Sequence, residues 1–480
     1  MSRPFPKHPL LQGIWEPWPM EGECRDLPLV GEVPHELAGT LYRIGPNPQF
    51  APRADYHLFD GDGMLHAFEF ERGRVHYRNR WVRTPRFLAE RAAGASLFGG
   101  LSAPRADAPE ARGIAPGPAN TNVVWHAGRL LALVELGLPP VEIDPDTLET
   151  RGVFDFDGAL RRPVAPGIAR LLELPLRDGT IDASFTAHPK LDPETGELLA
   201  FGYQLFPPHL LFYEIGADGR LLRCAPIDTP FPAMVHDFAL TQQHVVFPIF
   251  PATLRLERIA RGENAVGWEP ELGTRIAVLP RGADPSELRW FELPACFAFH
   301  PLNASTRGDR IEIDLPVFES PPIPAVGNAK GVGGQARLTR FELDLASGRA
   351  SAARRDERSI EFPRCDERFS GRPLRWGYAV GDGDVGRGFH AILRYDLRDA
   401  KSSCHALGPD STTSEAVFVP RSASAGEGSG FLLAVVYRAA ERRSDLLVLD
   451  AERIEAAPLA AIALPHRVPA GFHGNWRPSG

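Results

Sequence analysis

Short apolar runs of roughly five to eight residues, each closed by a Gly or Asp turn, recur from about residue 35 to about residue 465. Phe68–Phe70 and Val75–Trp81 flank Arg72-Gly73, and Val123–Trp125 and Leu130–Val134 flank Ala127-Gly128. Leu198–Tyr203 follows Asp192-Pro-Glu-Thr-Gly196, and Leu338–Leu345 precedes Ala346-Ser-Gly348. Runs this short can cross a sheet but cannot fill a helix, and the turn residues supply the backbone angles of a hairpin. The 46 glycines and 47 prolines interrupt the chain too often for long helices. Hairpins at this density over 480 residues predict an all-β fold, a β-propeller before two sandwiches, although no exact WD or Kelch repeat is present. Arg86 to Gly100 and Pro163 to Leu176 break the rhythm and are expected to be loop or helical insertions capping one face. Ser422 to Gly430 reads as a flexible loop between strands. No composition break marks a second domain, so a single propeller domain over residues 1–480 is expected.

The net charge is −8 and no Lys/Arg block stands out, which argues against a nucleic-acid partner. Only four lysines leave few candidates for Schiff-base chemistry. The five cysteines are scattered and never form a CxxC pair. They suit neither a disulfide framework nor a Cys-zinc site, and a cytoplasmic setting is expected. Met1 to Met20 lacks the apolar stretch of a signal peptide, and no run approaches the length of a membrane span. No obligate protein partner is suggested.

Context singles out four of the fifteen histidines. His188 stands in Phe-Thr-Ala-His-Pro-Lys, His236 in Met-Val-His-Asp-Phe, His300 in Phe-Ala-Phe-His-Pro-Leu-Asn-Ala and His473 in Gly-Phe-His-Gly-Asn-Trp. An unpaired imidazole among apolar and aromatic neighbours is costly, and a metal would satisfy one nitrogen of each. Spacing alone leaves open four separate core histidines bonded to backbone, because the candidates lie tens of residues apart. A propeller removes that objection, since its strands converge on one axis.

With these motifs the chain resembles the carotenoid cleavage oxygenases nearly end to end. The matching segments are Leu41-Tyr-Arg-Ile-Gly-Pro-Asn47, Phe59-Asp-Gly-Asp-Gly-Met64, Asn120-Thr-Asn122, His188-Pro-Lys190, His236-Asp-Phe238, His300-Pro, Glu361-Phe-Pro-Arg364 and His473-Gly-Asn-Trp. The resemblance implies a seven-bladed propeller with one iron(II) per chain, held on its axis by His188, His236, His300 and His473. It implies that Glu135, Glu361 and Glu415 accept the outer ring N–H groups, offsetting the metal charge and fixing the tautomers. It places Thr121 beside an open iron position, leaving one site for the co-substrate O₂. Four protein ligands on octahedral iron leave two positions free, as O₂ activation requires, whereas structural zinc closes at four. No nucleophile triad is legible. The expected reaction is dioxygenase cleavage of a C=C bond to two carbonyl products.

The family acts on carotenoids, apocarotenoids and phenolic stilbenes. In its stilbene branch a lysine beside the conserved glutamate and an upstream tyrosine engage the phenol. Here Val134 precedes Glu135, and Leu97-Phe-Gly-Gly-Leu101 holds no tyrosine. A small apolar polyene is therefore the expected substrate, with stilbene cleavage as the alternative. Phe59, Leu101, Val134, Phe318 and Phe472 are the expected tunnel lining. Phe87 to Leu101, with Phe87, Leu88, Leu97, Phe98 and Leu101, is a candidate for peripheral membrane contact. Rivals of other classes are a propeller that binds a ligand without turnover and a zinc hydrolase. Loss of one histidine would favour the first, and none is lost; no general base adjoins the candidate ligands to favour the second.

Overall fold

The computed structural model describes residues 3–479 except 102, 104, 105, 172–175, 177, 262 and 324–333. Seven antiparallel sheets form the blades of a β-propeller. Five lie in the middle of the chain, four of consecutive strands and the one starting at Ala239 interrupted by a separate pair, Ala252–Leu254 with Val266–Trp268. Named by their innermost strands they begin at Asn122–His126, Lys190–Leu191, Ala239–Leu240, Asn303–Arg307 and Ile360–Arg364. The first and last blades trade termini. Gly474–Pro478 is the innermost strand of the first blade, paired with Gly39–Pro46. Leu29–Gly31 is the outermost strand of the last blade, paired with Ala460–Ala463. Both ends of the chain are thereby sewn into the ring.

The apolar runs of the sequence are the middle strands, buried on both faces between neighbouring blades. Leu198–Tyr203 is buried at every position, whereas the rim strand Arg349–Arg354 is almost wholly exposed. Burial on both faces explains continuous apolar runs in place of strict alternation. The largest core joins three blades through Phe201, Phe212, Phe247, Ile276, Ile313 and Phe341.

The first insertion is helix and loop as expected, and one expectation, a flexible Ser422 to Gly430, needs correction. The helix in Arg86 to Gly100 covers only Pro85–Ala93, started by the Thr84 hydroxyl and stopped by Gly94 at φ +67°. The residues after it are a loop held by carboxylates. Glu90 accepts from the Leu97 amide at 2.8 Å, Asp107 from Gly99 at 2.7 Å and Asp60 from Leu101 at 2.9 Å. In the second insertion the helix is Pro166–Leu171, and residues 172–175 lie outside the described set. Ser422 to Gly430 joins two strands as expected but is pinned, not free. Glu427 accepts the Arg375 and Trp376 amides at 2.7 and 2.8 Å, and Arg368 donates to the Ser422 and Ala423 carbonyls.

Near the first helix, Asp62 is buried with one carboxylate oxygen unpartnered. Burial pushes it up to about 6, against the opposing pull of Arg86. The folded value lies above the ordinary one, so the cost of its charge is absent below about pH 4 and fully present above about pH 6. Asp62→Asn is expected to stabilise the chain by roughly 1–3 kcal/mol at pH 8 and by nothing near pH 4. Melting temperatures across that range check it, and an unchanged or lower value at pH 8 would refute it.

Candidate metal centre

All four singled-out histidines occupy one structural slot, the turn just before an innermost strand. His188 precedes Lys190–Leu191, His236 precedes Ala239–Leu240, His300 precedes Asn303–Arg307 and His473 precedes Gly474–Pro478. Blade geometry therefore aims them at one point on the axis. The Nε2 atom of His236 lies 3.1 Å from that of His188 and 3.1 Å from that of His300. The ligand atoms of His188, His300 and His473 lie within 4.8 Å of one another. His236 and His473 stand on opposite sides of the cluster, each in ring contact with both of the other two. All four are buried.

Three of the outer ring nitrogens face glutamates. His236 Nδ1 lies 2.7 Å from Glu135, His300 Nδ1 2.7 Å from Glu361 and His473 Nδ1 2.9 Å from Glu415. A carboxylate can only accept, so each Nδ1 carries the proton and each Nε2 presents a bare lone pair to the centre. Glu361 and Glu415 lie within the innermost strands of the sixth and seventh blades, the two blades between those of His300 and His473. Directly after Glu361, Phe362 takes a left-handed φ of +48°, an uncommon and strained state for a bulky residue. The same turn lets the Phe362 N–H donate to the Glu361 carboxylate and lays its ring 5.5 Å from His300.

The electrostatics follow from burial. Burial and the three neighbouring imidazoles hold His188 well below the usual histidine range. Burial also lowers His300 and His473 despite their glutamates. For His236 burial is outweighed by Glu135, and its value is raised. Glu415 is buried but held down at about 2 by Arg364 and His473.

The donor set fits a divalent cation. Facing lone pairs repel unless a positive charge sits between them. Of the four acidic groups around the cluster, Glu415 is paired with Arg364 at 3.1 Å and Asp237 with Lys190 at 2.8 Å. Among the described residues, Glu135 and Glu361 have no Arg or Lys in ion-pair range. The second oxygen of Glu361 is buried with no hydrogen-bond partner. A buried carboxylate in that state needs a nearby positive charge.

Thr121 occupies the same slot in the second blade, immediately before Asn122–His126. Its hydroxyl donates to Asn120 Oδ1 at 2.9 Å. Of the expected tunnel residues, Phe472 adjoins His473 and packs edge-on against half-buried Phe59 at 5.5 Å. Val134 is buried beside Glu135. Phe318 is buried against Phe299, whose ring lies 4.9 Å from His236. Leu101 is exposed on the rim, tied to Asp60 beside Phe59. In the proposed membrane segment Phe87, Leu97 and Phe98 are buried, and only Leu88 and Leu101 are exposed. No described helix is long and apolar enough to cross a membrane.

Sequence reasoning missed three groups. Tyr203 donates to Glu135 at 3.1 Å. Lys190 takes Asp237, leaving it 3.9 Å from His188 Nδ1, too long for a hydrogen bond. Arg364 stands in a quoted motif, but Glu415 and Gly474, which it joins, lie more than fifty residues away in sequence.

Seven blades around an axial cluster of carboxylate-backed histidines define an oxygenase of the propeller type. The chain belongs to the carotenoid cleavage oxygenase family: the profile described as "Retinal pigment epithelial membrane protein" matches residues 15–478. It is 38% identical to an isoeugenol monooxygenase of Pseudomonas nitroreducens over 100% of both chains. It is 34% identical to a carotenoid cleavage oxygenase of Mycobacterium tuberculosis over 98% of each. The crystal structure of Pseudomonas brassicacearum lignostilbene dioxygenase superposes with a TM-score of 0.88 at 34% identity, covering 100% of both chains. The kinship and the fold expected from the motifs hold.

Proposed function

We propose that this chain is a non-haem iron(II) oxygenase that cleaves the C=C bond of an aryl alkene, of the arylpropene or stilbene class, to two carbonyl products. The observation that carries the metal reading is the convergence of His188, His236, His300 and His473, three of them locked by glutamates. Iron bound there would supply O₂ activation. The chain's own part is positional. Glu135, Glu361 and Glu415 keep the Nε2 lone pairs free, and Phe59 and Phe472 offer an aromatic wall that keeps water from the reacting bond.

The aryl-alkene class is supported by the relatives that bear such names and match the whole chain. It displaces the polyene as the first reading. The polyene stays as the second for a specific reason: Val134 and Leu101 give a phenol neither a charged nor a hydroxyl partner. A buried hydroxyl left unpaired costs about 1–3 kcal/mol, a preference of roughly 5- to 150-fold. On the aryl reading the ring is therefore held by aromatic packing more than by its hydroxyl. Contact with a lipid surface would fall to Leu88 and Leu101, the two exposed apolar residues of that rim.

The test is anaerobic loading with Fe(II), then O₂ with isoeugenol, a hydroxystilbene and an apocarotenal side by side. The aryl alkenes are expected to show the higher kcat/KM, and faster apocarotenal cleavage would reverse the order of the two readings. With ¹⁸O₂ both carbonyl products are expected to carry label. Label in only one would assign a monooxygenase outcome.

A further inference from the structure

We propose that Arg364 is a positioning residue that couples closure of the propeller to metal capture through His473. The inference rests on the metal reading above. Arg364 lies on the innermost strand of the sixth blade, three residues after Glu361, where the pairing with the next strand slips out of register. Its guanidinium reaches across to the C-terminal strand. Nη1 donates to Glu415 Oε1 and to the Gly474 carbonyl, both at 3.1 Å. Nη2 donates to Asn475 Oδ1 at 2.9 Å and to Glu367 at 2.6 Å. Glu415 in turn accepts from His473 Nδ1 at 2.9 Å and from the Gly474 amide at 2.7 Å. One cation thus grips both the carboxylate that orients His473 and the backbone just after His473.

The chain of bonds continues around the axis. Asn475 donates to Asn122 Oδ1 at 3.1 Å and to the Val123 carbonyl at 2.8 Å. Asn122 donates to the carbonyl of Ala187, the residue before His188, at 2.8 Å. A continuous polar girdle therefore runs from the sixth blade through the terminal strand to the third and connects the settings of His473 and His188. Among the described residues, the comparable cation link for His188 and His236 is Lys190, which pairs with Asp237 at 2.8 Å. His473 stands just before a strand of five residues that pairs with Gly39–Pro46 on one edge, and Arg364 ties that strand to the sixth blade. Lysine cannot replace the arginine, because a point ammonium cannot serve a carboxylate, a carbonyl and an amide oxygen in one fork.

The experiment is titration of the purified full chain with Co(II), read by its visible absorption, with circular dichroism to confirm folding. Wild type is expected to bind one Co(II). Arg364→Met should weaken Co(II) by about 10- to 100-fold and Arg364→Lys by about 3- to 10-fold. In a Glu415→Gln background Arg364→Met should cost less than about 3-fold, because the charge it serves has gone. Equal losses in both backgrounds would assign Arg364 a merely structural role and overturn the proposal. Wild-type affinity in Arg364→Lys would overturn it too, and that variant keeps the test alive should Arg364→Met fail to fold. If wild type itself takes up no metal, the metal reading falls instead.

Discussion

His236→Ala is expected to leave a folded chain that holds less than about a tenth of an iron per protomer and shows no measurable turnover. Its Nε2 stands 3.1 Å from two of the other three ligand atoms, so it shares the centre with both. Its carboxylate, like that of His300, has no Arg or Lys partner among the described residues: Glu135 accepts from His236 and the Tyr203 hydroxyl. Removing the imidazole deletes one of four ligands and leaves Glu135 with Tyr203 alone, next to three imidazoles that burial keeps neutral. The blades should survive, because the apolar cores between them are built from many side chains such as Phe201, Phe247 and Phe341, and the His236 ring meets the largest of them through Phe299. Metal analysis after anaerobic loading, with circular dichroism as the folding control, checks this. A variant with stoichiometric iron and full turnover would take His236 out of the site.

The inner-strand slot explains what could be read in advance. It holds Thr121, His188, His236, His300 and His473 in chain order, and the two blades between His300 and His473 carry Glu361 and Glu415 on the innermost strand itself. His188 and His236 are 48 residues apart, and His236 and His300 are 64, each one blade. No short-range metal motif can show this period, so the set became legible only through the family motifs that surround it. Strand positions were legible from local pattern. Leu198–Tyr203 was placed with the bounds it has, because a buried middle strand between two turns has little freedom. The failures share a cause. Nothing near Ser422 to Gly430 announces that Glu427, Trp376 and Arg368 will pin it. Tyr203 and Arg364 likewise act on partners in other blades. Local sequence encodes the strand and its turn, but contacts across blades depend on the ring being closed.

Glu361→Gln is expected to weaken iron binding by about 10- to 100-fold in a chain that still folds. The two carboxylate oxygens of Glu361 are in different situations. Oε2 lies 2.7 Å from His300 Nδ1 and also accepts the Phe362 amide, and Oε1 is buried with no partner. In the glutamine variant the amide oxygen must take the first position, since both neighbours are donors. The amide nitrogen then lies where Oε1 was, a buried donor with nothing to receive it, at a cost of about 1–3 kcal/mol. The opposite orientation sets a donor against His300 Nδ1 and forces the proton to Nε2, which ends His300 as a ligand. Either way the negative charge that offsets the metal is gone. Glu415→Gln differs in kind, because it removes one of the two carboxylates on the Arg364 guanidinium, leaving Glu367, and should also lower stability. Competitive chelator titration of Fe(II) against wild type and Glu361→Gln, with thermal melts of the metal-free forms, separates the two effects. Wild-type affinity in Glu361→Gln would show that His300 needs only an acceptor there, and that the charge of Glu361 plays no part in holding the ion.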